Sequence, residues 1–138
     1  MLSPEPREGT VPIHLDISHL DRIVIAVVIG DVTPDDVAGL ARQFAESGSM
    51  HYRKIVDTAA GVLAIDEAGV AAVAAFLRAD PKADSRGPLA FVVNPKRPDF
   101  FSGKFVELTA GERPVKIFHS LHAARRCLDE CATIQPRR

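Results

Sequence analysis

The side chains best suited to chemistry form two groups. Asp57, Asp66 and Glu67 bring three carboxylates close together in the chain. Paired carboxylates can divide acid and base work when their environments differ and a substrate lies between them. His119, His122, Cys127 and Cys131 are all zinc-ligand types. In both groups the surrounding pattern favours a structural role. Asp66 stands just before a helical run, where its carboxylate can accept backbone N–H bonds, and Asp57 ends an apolar run, where an Asx-type turn can anchor the next loop. On a final helix turning about 100° per residue, the cysteines fall on one side and the histidines on another, so four ligands cannot converge from it alone. A packed Cys131 and solvent-facing histidines are expected, with both thiols reduced. The chain carries no GxSxG, GxxxxGK[ST] or GxGxxG signature, and nothing singles out a Ser/His/Asp set. Binding is therefore expected rather than catalysis, with no cofactor and no metal.

Positioning these groups falls to alternating strands and helices. Ile13, Leu15 and Ile17 alternate with polar His14 and Asp16, the period of an edge strand, and the β-branched run Arg22 to Ile29 fits a central strand, so the two read as a hairpin. Thr33 is placed as an N-cap, with Pro34 in the first helical position and Asp35 and Asp36 facing the positive end of the helix dipole. Val37, Leu40, Ala41 and Phe44 recur at helical spacing, and Gly48 closes that helix. His51 to Asp57 follows as a strand. A short apolar run leads to Asp66, where a second helix begins and continues to Ala79, with Val70, Val73, Ala74 and Leu77 along one stripe. Asp80-Pro81 stops it.

After a polar loop, Pro88 to Val93 is a further strand, and Asp99 to Thr109 a third helix carrying Phe100, Phe101, Phe105 and Leu108. Arg113 to Phe118 is the last strand. Ser120 caps a final helix with Leu121, Ala124, Leu128 and Cys131 as its buried stripe. The predicted order is β-β-α-β-α-β-α-β-α, an α/β fold with a mixed, mainly parallel sheet flanked by helices. The domain spans 13–134, with a flexible tail at 1–12 and a frayed end at 135–138.

Composition narrows the function. The 138 residues suit one domain, and with 46% hydrophobic but only 6% aromatic residues the core must be mostly Val, Ala, Leu and Ile. Seventeen basic against eighteen acidic residues leave a formal charge of -1, which argues against nucleic acid as a partner. The longest apolar run, Ile23 to Ile29, is far below the roughly 20 residues of a membrane span, and the first residues contain no apolar signal region. A cytoplasmic location is expected.

The segment Ile55 to Leu77 and the order of elements resemble the STAS domain family, whose type member is a bacterial anti-sigma factor antagonist. That family carries a D-S-[ST]-G-[LV] motif at a helix start, matched here by Asp66, Glu67, Ala68, Gly69 and Val70. The chain is also similar to uncharacterised STAS-like proteins of proteobacteria in Tyr52 to Asp57, Arg86 to Ala90 and Arg113 to Phe118, and the likeness covers Ile13 to Leu128. It implies a protein-binding or regulatory module, engaging a partner or a second copy through Asp57, Thr58 and Asp66 to Val70. In the regulatory members the third motif position is a phosphorylated Ser or Thr; here it is Ala68, so that switch is expected to be absent. Thr58 is the neighbouring hydroxyl, read as a turn residue that caps the backbone. Likeness of some relatives to a lipid-transfer fold implies an alternative. In it, the Phe100 to Leu108 helix acts as a flap over a lipid or small apolar ligand.

Overall fold

In the computed structural model, residues 13–63, 65–79, 86–96 and 100–134 are described. The expected tail at 1–12, the frayed end at 135–138 and part of the loop after α2 lie outside them. The chain runs β1 (Ile13–Ser18), β2 (Ile23–Val28), β3 (Asp31–Val32), α1 (Pro34–Ser47), β4 (Arg53–Asp57), β5 (Val62–Leu63), α2 (Glu67–Arg78), β6 (Leu89–Val92), α3 (Phe100–Leu108), β7 (Val115–Phe118) and α4 (Leu121–Ile134).

The main sheet has five strands in the order β1-β2-β4-β6-β7. β1 pairs antiparallel with β2, with Ile13 opposite Val28 and Ser18 opposite Ile23. The pairs β2–β4, β4–β6 and β6–β7 are all parallel. The chain thus steps across the sheet in one direction, and right-handed crossovers put α1, α2 and α3 on a single face. That face is packed by Val28, Leu89 and Phe91 against Val70, Val73, Phe101 and Phe105. The opposite face is covered by α4, whose Ala124 and Leu128 pack on Ile23, Ile55, Ala90 and Val92. Both faces of β2, β4 and β6 are therefore covered, which is why β2 and β6 read as continuous apolar runs.

Two short strands add to the predicted order. β3 and β5 form a separate two-stranded parallel sheet, with Asp31 opposite Val62 and Val32 opposite Leu63. Strands this short show no periodicity and exist only through their pairing. Other boundaries move by a residue or two: β2 begins at Ile23, β4 at Arg53 and β7 at Val115. Leu121, expected in the buried stripe of α4, is exposed.

The helix starts follow the expected chemistry. Thr33 and Asp36 form a reciprocal capping box on α1, Thr33 Oγ1 accepting from the Asp36 N–H and the Asp36 carboxylate accepting from the Thr33 N–H. Gly48 ends that helix in the left-handed region at φ 72°. Asp66 caps α2, its Oδ1 accepting from the Gly69 N–H at 2.9 Å.

Candidate functional site

The residues singled out at the start of α2 divide by exposure. Asp66, Glu67 and Ala68 face solvent, while Asp57 and Gly69 are half-buried. Thr58 and Val70 do not present side chains to a partner: they are 4% and 0% exposed. Val70 belongs to the core stripe of α2. Thr58 Oγ1 donates to the Val92 carbonyl at 3.1 Å, so its hydroxyl ties the end of β4 to β6. The Asp57 carboxylate accepts from the Ala59 N–H at 3.0 Å, closing an Asx turn.

The D-x-x-G signature is explained by this local geometry. Asp66 supplies the cap. A Cβ on Gly69 would stand 2.6 Å from Ile65 Cγ2 and 3.2 Å from Asp66 Oδ1, so glycine lets the chain before the helix fold back onto its first turn. Glu67 is paired with Lys104 of α3 at 3.2 Å. One further residue shares this end of the sheet. Val27 is paired with Asp57, so Ile29, two residues further on, emerges beside the Asp57 loop, and it is 46% exposed. Its exposure could not be read from an apolar run whose other members are buried or partly buried.

A second site lies inside the molecule. Between the sheet and α1–α3 is a cavity of ≈ 70 Å³, walled by apolar groups that include Val37, Val73, Leu77, Leu89, Phe101 and Phe105. The proposed flap residues are thereby distributed. Phe101 and Phe105 are core, stacked on each other at 5.5 Å and each edge-on to Phe91. Phe100 is exposed and Leu108 only partly buried. In this structure the helix, anchored by two buried aromatics, forms a wall of the cavity.

Lys54, Arg86 and Arg113 also border this cavity, their polar atoms almost wholly turned away from it. Their placement follows from strand parity. Arg53 and Lys54 begin β4, a strand covered on both faces, so their side chains enter opposite packed layers. Arg53 faces α4 and meets Asp129 at 2.7 Å. Lys54 faces the α1–α3 core and is 2% exposed. Its Nζ donates to the Met50 carbonyl and, at 2.9 Å, to the Tyr52 carbonyl, and lies 5.2 Å from the centre of the Phe44 ring. Arg86 pairs with Glu112 at 2.8 Å. Arg113 Nη1 donates to the Gly87 carbonyl at 3.1 Å, while its Nε is buried without a hydrogen-bond partner. The signal in the sequence was Lys54 beside Ile55 within the predicted strand His51 to Asp57. The convergence of Arg86 and Arg113 on it was not visible there.

Burial, reinforced by Arg113 and Arg86, pushes the Lys54 amine down to about 7. Burial likewise lowers Arg113 to about 10. An unfolded chain keeps the Lys54 proton up to about pH 10.5, whereas the folded protein releases it near 7. Stability conferred through Lys54 should therefore rise as pH increases from about 7 to about 10.5, by at most about 1.4 kcal/mol per pH unit. Chemical denaturation at several pH values checks this: Lys54→Met should remove the slope.

Among the described residues, no cluster of three or more His, Cys, Asp or Glu is placed to hold a metal ion, and no helix is long and apolar enough to cross a membrane.

The antiparallel opening hairpin, the one-way parallel sheet, three helices on one face and a closing helix on the other define a STAS-like α/β domain, the SpoIIAA-like fold. A solved structure shares it: the crystal structure of an uncharacterised protein of the DUF3478 family with a SpoIIAA-like fold, from Shewanella loihica PV-4. The two superpose with a TM-score of 0.55 at 14% identity, over 84% of this chain and 91% of that one. At that identity the likeness shows the fold alone. No protein-family model matches the chain. No curated protein matches it either.

Proposed function

We propose that this STAS-like domain is a non-enzymatic recognition module of the bacterial cytoplasm, docking a protein partner or a second copy through the carboxyl ends of its parallel strands. The observation that carries the reading is the solvent-exposed first turn of α2, Asp66 to Ala68, standing at the end of the sheet where Ile29 and the Asp57 loop emerge. Open α/β sheets place their binding surfaces at this end. Regulation by phosphate at the motif is not part of the reading. Ala68 has no hydroxyl, and the Thr58 hydroxyl is buried in a β4–β6 bond.

The test is a pull-down from the source cells with wild type, Glu67→Arg and Ala68→Arg, using Arg42→Glu on the outer surface of α1 as a control. Partner recovery should fall at least about tenfold for the two α2 variants, as expected when a charge is forced into an interface core, and stay unchanged for the control. Equal recovery by all four proteins would remove this surface from consideration. The cavity favours a second reading, in which the same domain holds a small apolar ligand.

A further inference from the structure

We propose that β1 is a homodimer interface, at which two copies of the chain join their β1 edges antiparallel about a two-fold axis centred on Leu15. This contact is separate from the α2 surface described above.

β1 is the outermost strand of the main sheet, and among the described residues no strand pairs with its outer edge. Alternate N–H and C=O groups along Ile13–Ser18 therefore point away from β2. Such a row is a template for another strand unless lysine, proline or a bulge blunts it. β1 carries none of these: its six residues, IHLDIS, pair one to one with β2 from Ile13 to Ser18. The far edge of the sheet differs. β7 has only four residues and bears the exposed Lys116. One open edge and one blunted edge favour a closed pair over a growing chain.

The side chains of β1 select the partner and the register. Ile13, Leu15 and Ile17 share the face of Val28, Ala26 and Val24, yet are only half-buried. His14 and Asp16 lie exposed on the other face, where their neighbours across β2 are Val27 and Ile25. Neither neighbour can partner an imidazole or a carboxylate. A two-fold axis between antiparallel edges keeps the faces of both sheets aligned, so residues that meet share parity and the axis passes through a residue. Centred on His14 or Asp16, it would oppose two imidazoles or two carboxylates. Centred on Leu15, it sets Leu15 against Leu15, Ile13 against Ile17, and His14 against Asp16 on both sides of the axis. The imidazole donates an N–H to the carboxylate whether the ring is neutral or charged. A second copy of this chain is thus the partner whose charges match.

The joined sheet has ten strands, five from each copy. Because the two β1 strands run antiparallel, the carboxyl ends of the parallel strands point in opposite directions in the two copies.

Sedimentation velocity of the full chain from about 1 µM to about 1 mM tests this, the range suited to an interface below the standard size. Wild type should pass from monomer to dimer as the concentration rises. His14→Asp and Asp16→His should each raise the dissociation constant at least about tenfold, since each opposes like side chains twice. The double variant, His14→Asp with Asp16→His, restores the pairs in reverse order and should return to within about threefold of wild type. Both positions are exposed, so the swaps leave the core intact. Single variants that dimerise like wild type, or a double variant as weak as the singles, would overturn the interface. So would a wild type that stays monomeric at the highest concentration or assembles beyond the dimer.

Discussion

Gly87→Ala should destabilise the protein by roughly 3 kcal/mol or more, and lower the melting temperature by on the order of 10 °C. The added Cβ would lie 2.2 Å from the Tyr52 carbonyl oxygen and 2.5 Å from that of His51. Both obstacles are backbone, so no side-chain rotation relieves the contact. Separating the two segments would also stretch the Gly87 N–H bond to Met50 and the Arg113 bond to Gly87. Gly103 provides the contrast. It sits on the exposed side of α3 with nothing within 4 Å of the position a Cβ would take. Gly103→Ala should therefore stabilise by about 0.5–1 kcal/mol through helix propensity. Calorimetry of the two single variants checks both signs. A Gly87→Ala protein that melts with wild type would mean that the Met50–Tyr52 turn and the Arg86–Pro88 segment are not packed as described.

Phe105→Ala should cost about 3–5 kcal/mol, the range for removing a buried aromatic side chain. Phe105 is almost wholly buried, stacked on Phe101 at an interplanar angle of 14° and edge-on to Phe91 at 5.8 Å. Phe100→Ala, five positions earlier on the same helix, should change stability by less than about 1 kcal/mol, because that ring is 55% exposed. Urea denaturation measures the difference. A helix that served as a detachable flap would give small effects at both positions. The large effect predicted at 105 follows from α3 being a wall of the core.

Much of the fold was legible because several local signals agreed. Thr33, Pro34 and Asp36 fix the start of α1, Gly48 fixes its end, and Asp66 with Gly69 fixes the start of α2. The apolar runs of β2 and β6 announced a sheet covered on both faces. What escaped was whatever depends on pairing between distant segments. β3 and β5 are two residues each and exist only as each other's partners. The alternation of α3 does not reveal that Phe100 turns outward while Phe101 and Phe105 turn in, since all four apolar residues look equally suited to burial.

The candidate sites show the same division. Asp66, Glu67 and Ala68 could be placed on an exposed helix start from the sequence, because capping chemistry is local. The loss of Thr58 and Val70 from that surface could not, because it depends on a β6 carbonyl and on the packing of α2 against the sheet. Lys54 was visible as a charge in a buried strand. Its significance depends on Arg86 and Arg113, about 30 and 60 positions away, coming close enough to act on its charge. Long-range convergence of like charges leaves no mark in composition or periodicity.

The enclosure of a cation within the α1–α3 core is tested most directly by following the Lys54 side-chain resonances through a pH titration of the folded protein in which the other lysines serve as internal references. A midpoint near 7, well separated from the solvent-exposed lysines, is the predicted result. A midpoint near 10.5 would show Lys54 in contact with water and contradict its burial in the core together with the pH dependence drawn from it.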